Sequence, residues 1–220
     1  MASMMEIRRR LLANIGDIPP IYQKCDYIQT TGGKARIDTG IAGNDTSIQI
    51  TGDVKEMTFG AYNAFLGNHV SDSSLCWRAL MPSANTGANV LFNVYRDSSI
   101  AVSIPSGTWQ NVPVRFQFLL KHGYAEVTLN GVTTSKTHSP GTNSKPINNA
   151  NIGIGSRSAT ANSGTATHRF YSVKIWRQGA LVRDYRPCIR ISDNVAGFYD
   201  VVNSTFNPST GTEAFIAGND

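Results

Sequence analysis

The residues of this chain that could do chemistry are few and dispersed. Hydrolysis of a glycosidic bond with retention takes two carboxyl groups roughly 5 Å apart, one as nucleophile and one as acid. On a strand, two side chains share a face only at spacings of two or four. The glutamates are Glu6, Glu56, Glu126 and Glu213. Glu126 stands alone between Ala125 and Val127, while Asp53 and Glu56, three apart, fall on opposite faces of a regular strand. His69, His122, His138 and His168 are scattered through predicted loops and strand ends and read as polar surface residues. No His-Glu-x-x-His and no Gly-x-Ser-x-Gly elbow occurs, and Gly153-Ile-Gly155, which resembles the start of a dinucleotide motif, is followed by no helical pattern. Cys25, Cys76 and Cys188 are odd in number and widely spaced, with neither a CxxC pair nor a Cys/His set of metal-ligand spacing. At least one thiol is free unless it pairs between chains, which suits a reducing compartment. No catalytic residue and no metal ligand set emerges from these patterns.

Binding chemistry has better candidates. A sugar is held by an aromatic face beneath the apolar side of its ring and by polar groups around its hydroxyls. Trp176 falls in register with Ser172 and Lys174, opposite Val173 and Ile175, and reads either as an exposed platform or as a rim or core residue. Tyr95-Arg96-Asp97 closes a strand into a turn and Asn93 shares the face of Tyr95. This set reads either as a polar binding cluster or as a turn capped by Asp97. Trp77 and Trp109 read as core. Arg183 with Asp184, and Arg186 with Asp200, read as structural ion pairs.

The elements that must position these residues are strands. Period-two alternation recurs along the chain: Phe116, Phe118 and Leu120 against Arg115, Gln117 and Lys121; Ala125, Val127 and Leu129 against Glu126 and Thr128; Val90, Phe92 and Val94 against Leu91, Asn93 and Tyr95. Tyr171, Val173 and Ile175 are expected on one face, Ser172 and Lys174 on the other. Predicted strands cover 27–30, 35–39, 47–54, 56–62, 76–81, 90–95, 100–104, 112–121, 124–129, 151–155, 168–176, 181–186, 197–200 and 215–217. Asn130-Gly131 is a strong hairpin signal. Residues 63–74, 133–149 and 156–167, rich in Gly, Ser, Asn and Pro, are expected to be long loops. Many alternating strands with no helices between them imply two antiparallel sheets packed as a jelly-roll sandwich in one domain over residues 22–220.

Residues 1–21 differ. Met5, Leu11, Leu12 and Ile15, interleaved with Arg8, Arg9 and Arg10, suit a short amphipathic helical arm or a frayed terminus, ended by Gly16-Asp17-Ile18-Pro19-Pro20. The three arginines against Glu6 put +2 of the net charge of +5 into the first fifteen residues. No basic stripe with interleaved aromatics occurs further along, so a solvated face or an acidic protein partner is the expectation rather than nucleic acid. No apolar stretch is long enough for a secretory signal or a membrane span. The sequons at Asn44 and Asn203 read as turn residues.

Several segments together carry a resemblance. They are residues 27–40, Thr58-Phe-Gly-Ala61, Val127-Thr-Leu-Asn-Gly131, Ile152-Gly-Ile-Gly-Ser156, Tyr171-Ser-Val-Lys-Ile-Trp176, Leu181-Val-Arg-Asp-Tyr-Arg-Pro-Cys188, and the closing run from Gly197-Phe-Tyr-Asp200 to Phe215-Ile-Ala-Gly218. Residues 22–218 thereby resemble a concanavalin A-like, or laminin G-like, jelly-roll domain of the type found in bacteriophage structural and adhesion proteins and in bacterial surface proteins. The resemblance implies a binding fold. Glycosidases of this fold carry a pattern resembling Glu-x-Asp-x-Glu, and this chain does not, so the chain is expected not to be an enzyme. The implied role is a virion surface protein, either a head decoration or fibre protein or a tail receptor-binding part. It would be assembled in the host cytoplasm and exposed after release, with host glycans as possible ligands at Trp176, Tyr95, Asn93, Arg96 and Asp97. The arm, through Arg8, Arg9, Arg10, Leu11 and Leu12, would join other virion proteins or help the chain form a homo-oligomer such as a trimer. No cofactor is implied beyond calcium, common in such domains, for which Asn44, Asp45, Asp72 and Asp97 are dispersed candidates. A bacterial surface carbohydrate-binding module and a virion part with no ligand are the alternatives. Fold alone separates none of these.

Overall fold

The structure is a computed structural model and describes residues 17–32, 34–43, 47–58, 63–70, 76–81, 89–94, 98–103, 111–121, 123–137, 149–160 and 166–220. Strands are numbered in chain order. The larger sheet runs β11 (Val132–Thr137), β10 (Tyr124–Leu129), β9 (Pro113–Lys121), β4 (Ser47–Thr58), β13 (Thr167–Arg177), β14 (Ala180–Arg190), β15 (Val195–Asp200) and β16 (Thr205–Pro208). β1 (Tyr22–Lys24) joins it on β14, and β2 (Tyr27–Gln29) pairs with both β13 and β17 (Ile216–Gly218). The smaller sheet runs β3 (Ile37–Ala42), β12 (Asn151–Ile154), β5 (Ala64–Gly67), β6 (Trp77–Leu80), β7 (Asn89–Val94) and β8 (Ser98–Ser103). The pairings at the centre of each sheet are antiparallel. This is an all-β sandwich of two antiparallel sheets, the layered architecture that the alternation predicts. No helix occurs among the described residues, and the expected helical stretch of the arm, residues 1–15 with Arg8, Arg9, Arg10, Leu11 and Leu12, lies outside them.

Alternation places the core. On β9 the odd side chains Arg115 and Gln117 face out, while Val114, Phe116, Phe118 and Leu120 are buried. On β4, Ile48, Ile50, Val54 and Glu56 turn inward. Aromatic rings then bridge the sheets: Phe65 of the smaller sheet meets Phe116 edge-on at 5.4 Å, and Phe92 stacks on Phe118 at 4.9 Å. Such offset and edge-on pairs add about 1 kcal/mol each beyond the area they bury. Trp77 is core, as expected, and its indole N–H donates to the Gly43 carbonyl at 3.0 Å, so this donor is not stranded in the interior.

Several boundaries differ from the sequence expectation. Residues 47–58 form one strand rather than two. The loop expected over 63–74 contains β5, whose residues are buried throughout, so no alternation marks it. The loop expected over 133–149 begins with most of β11, an edge strand almost entirely exposed on both faces and therefore without apolar periodicity. Its register comes from the hairpin turn, where Asn130 and Gly131 adopt φ of 47° and 86°.

Tyr171 is not on the inner face with Val173 and Ile175. The pairing of β13 with β4 shifts register between Phe170 and Ser172, and Tyr171 and Ser172 are both half-buried outside the core. Gly52 pairs with Val173 just past the shift, and a Cβ there would come within 2.3 Å of the Ser172 carbonyl oxygen. The extra residue bends the strand and re-aims the side chains beyond it.

The ion pairs are real but partnered differently from the expectation. Arg183 reaches Asp200 at 3.5 Å and Arg186 reaches Asp184 at 3.1 Å. Asp200 is 1% exposed and accepts from the backbone N–H groups of Asp184 and Val202, each at 3.1 Å, and from the Asn203 amide at 2.6 Å. Arg183 also donates to the Thr39 carbonyl at 2.9 Å, tying β14 to the smaller sheet. The sequon residue Asn203 is indeed a turn residue. Replacing Asp200 with Ala strands three donors and a guanidinium, and is expected to cost about 3 kcal/mol of stability. The check is a lower urea midpoint at unchanged slope; an unshifted midpoint would show that water replaces the carboxylate without loss.

Candidate functional site

The outward face of the larger sheet gathers the residues that could bind a ligand. β13 lies between β4 and β14, with Ser172 opposite Asp53, Lys174 opposite Thr51 and Asp184, and Trp176 opposite Gln49 and Leu181. β9 continues the sheet beyond β4, with Arg115 opposite Asp53. Trp176, Ser172, Lys174, Thr51, Asp53 and Arg115 together line a depression of about 400 Å³. Trp176 is half-buried, so one part of the indole is packed and another faces the depression.

The polar groups around the indole are held in place. Arg115 Nε donates to Asp53 Oδ1 at 3.0 Å, and the Ser172 hydroxyl donates to Asp53 Oδ2 at 3.2 Å. Asp53 thus orients a donor and a hydroxyl on either side. Arg115 is 81% exposed and its remaining N–H groups face solvent. The pair contributes little to stability at such exposure, so its organisation serves the surface rather than the core. An aromatic face bordered by a guanidinium, an ammonium, a carboxylate and two hydroxyl residues can stack on a sugar ring and exchange hydrogen bonds with its hydroxyls.

Of the residues singled out from sequence, Trp176 stands on the expected face beside Ser172 and Lys174. Asn93 lies in β7 of the smaller sheet, opposite Arg78 and Ser99, and so belongs to the other sheet from Trp176. Tyr95, Arg96 and Asp97 lie outside the described residues, as do Trp109 and the calcium candidates Asn44, Asp45 and Asp72. Among the described residues no group of three or more His, Cys, Asp or Glu is placed to hold a metal ion. Thr51, Asp53 and Arg115 were not singled out from sequence as parts of this site. Each occupies an outward position of an alternating strand, which is legible. Their convergence depends on the register between β13, β4 and β9, which is not.

A second polar group was misplaced by sequence reasoning. His69 and His168, read as surface residues, are buried, and so is Glu56. His168 and Glu56 are cross-strand partners on the inner faces of β13 and β4. The Asn63 amide donates to Glu56 Oε1 at 2.8 Å, while Glu56 Oε2 and both His168 ring nitrogens have no hydrogen-bond partner among the described residues. The Phe65 ring centroid lies 6.0 Å from the His168 ring. Burial pushes the Glu56 carboxyl up to about 8 and the His168 imidazole down to about 3. Both are therefore neutral in the folded chain at neutral pH. Asp53, on the outer face, is separated from Glu56 by the sheet itself, as their three-residue spacing requires.

Linkage gives the two groups opposite signs. The stability tied to neutral Glu56 is complete below its usual value of 4.5 and is lost as pH rises through about 8. His168 resists protonation that the unfolded chain accepts near 6.5, so its share is lost as pH falls from there toward about 3. Glu56→Gln keeps the shape and removes the alkaline loss. The urea midpoint of the variant is expected to hold level between about pH 6.5 and 8, where that of the unaltered chain falls. A parallel fall in both would assign the loss to another group.

No family model matches the chain, and no curated protein does. Solved structures do resemble it. An alginate lyase A1-II′ variant is 16% identical at a TM-score of 0.44, covering 64% of this chain and 66% of its own. Domains LG4-5 of the mouse laminin alpha1 chain are 13% identical at 0.44, covering 73% of this chain and 42% of their own. An alginate lyase from Pseudomonas aeruginosa is 11% identical at 0.43, covering 63% and 68%. The chain thus spans just under two thirds of the first of these proteins and less than half of the laminin fragment. Likeness of this grade transfers neither activity nor ligand, and the architecture stands on the sheets themselves. The expectation that the chain is not an enzyme is nonetheless corrected. It rested on missing glycosidase motifs and on the fold's binding members, whereas the similar structures include alginate lyases.

Proposed function

We propose that this chain is a carbohydrate-binding jelly-roll domain displayed on the surface of a bacteriophage particle, with the Trp176 depression as its glycan site. The observation that carries the binding part is the half-buried indole of Trp176 set among Ser172, Lys174, Thr51, Asp53 and Arg115 on a rigid outward sheet face. The particle assignment is supported by the segments between residues 27 and 218 that resemble phage structural and adhesion domains. The basic arm with Arg8, Arg9, Arg10, Leu11 and Leu12 supplies the attachment to other virion proteins, and copies assemble as a homo-oligomer on the particle.

Two measurements test this. The purified chain is applied to a glycan array and to intact bacteria, with and without calcium, beside Trp176→Ala. Saturable binding that free sugar competes is expected, with a loss of about tenfold or more in the variant. Equal affinity in the two proteins would remove Trp176 from the site. For the particle assignment, deletion of residues 1–15 is expected to abolish incorporation while leaving the thermal unfolding of the domain unchanged. Undiminished incorporation would reject the arm as the attachment.

A further inference from the structure

The depression at Trp176 does not end at Lys174. Ser172 and Lys174 also line a second depression of about 310 Å³, bounded by Lys24, Tyr171, Asp184 and Arg186. Sharing two side chains, the depressions form one groove that crosses β9, β4, β13 and β14 toward β1. Four strands spaced ~4.8 Å apart span roughly 14 Å, longer than a single sugar ring. The outward bulge at Tyr171 and Ser172 places side chains from two consecutive residues along the groove.

The charges along the groove alternate and are paired. Arg115 holds Asp53 at 3.0 Å. Asp184 lies 3.1 Å from Arg186 and 3.6 Å from Lys174. Lys24 holds Asp17, which also lines the second depression, at 2.7 Å. Four cations meet three carboxylates and each cation lies within 3.6 Å of one, so the excess is a single positive charge; an anionic polymer would meet a carboxylate at each stage and gain little from cations already paired. A hydroxyl both donates and accepts. A row of hydroxyls can therefore take an acceptor from each carboxylate and a donor from each cation without any net charge of its own.

We propose that this groove binds a neutral, linear oligosaccharide, one residue on Trp176 and its neighbours in the part walled by Tyr171 and Arg186. The proposal rests on reading the Trp176 depression as a glycan site and adds the chemical class and the length of the ligand. The test is calorimetric titration of the full chain with neutral glucose-, mannose- and N-acetylglucosamine-based sugars, from monosaccharide to hexasaccharide, and with oligogalacturonates as the acidic series. Affinity is expected to rise about tenfold or more from the monosaccharide to the tetrasaccharide of the recognised neutral series, with oligogalacturonates bound more weakly. Arg186→Ala and Lys24→Ala, each checked for an unchanged urea midpoint, are expected to remove most of that gain while leaving the monosaccharide affinity alone. Trp176→Ala is expected to weaken every member of the series. A length-independent affinity, a preference for oligogalacturonate, or folded Arg186→Ala and Lys24→Ala proteins that keep the full gain would overturn the groove while leaving the Trp176 site standing. Failure of every sugar to bind, or indifference to Trp176→Ala, would overturn both.

Discussion

The pairing of β4 with β13 is the constraint on which the other features depend. These are two of the longest strands, and both are internal to the larger sheet, so each presents one complete row of side chains to the core and another to the outside. Their register sets Ser172 beside Asp53 and Lys174 beside Thr51 on one side, and His168 beside Glu56 on the other. A slip of one residue would exchange the two rows and leave charged groups facing Phe65 and Phe116. The register shift at Tyr171 is therefore a controlled departure. Just past it, opposite Val173, the backbones come so close that a Cβ at Gly52 would lie 2.3 Å from the Ser172 carbonyl oxygen.

The interior explains why a buried acid is tolerated there. Much of the core is a slab of rings running from Trp77 through Phe92, Phe118 and Phe116 to Phe65 and Phe170. The His168 ring lies 6.0 Å from Phe65 and 6.3 Å from Phe170 of that slab, and Glu56 is its cross-strand partner. An ionised carboxylate there would carry a large desolvation cost, which the chain escapes by keeping the acid protonated and bonded to Asn63. On the other side of the same strands, Asp53 stays close to solvent with Arg115 and Ser172. One strand thus holds one carboxyl group in the core and another at the surface, because period two sends them to opposite sides.

Much of this fold was legible in the sequence, because alternation is a property of a single strand. The inward rows of β9 and β10, the Asn130-Gly131 turn and the core position of Trp77 needed nothing beyond the chain's own pattern. The features that escaped depend on neighbours. The all-buried Ala-Phe-Leu-Gly of β5 and the almost fully exposed edge β11 have no alternation to read. Tyr171 reads as an inner-face residue because a bulge is a property of the pairing with β4, not of the pattern within its own strand. His168 was read as a surface residue because a histidine's usual polarity outweighed its place in the inward row with Phe170, Val173 and Ile175. Of the site, Trp176, Ser172 and Lys174 were visible as one face of one strand, but Asp53 and Arg115 join them through pairings 119 and 62 residues apart in sequence, which no local pattern encodes.

A groove on a sheet face differs from a loop-built pocket in what it can do. Its walls are side chains on hydrogen-bonded strands, so little conformational entropy is lost when a ligand settles, and the geometry is ready before binding. It is also shallow, so it covers one side of a ligand and leaves the other in water, which limits the affinity of any single site. On the proposed reading the limit is met by number. Many copies on one particle, each engaging a repeating polymer, turn the second and later contacts into local events at high effective concentration. A polymer that repeats along its length can also slide or rebind across neighbouring copies, so weak, register-tolerant contacts hold a particle to a surface without locking it in one place. A sheet face with alternating, self-satisfied charges suits that demand better than a deep pocket, because its contacts repeat at the spacing of the strands that carry them.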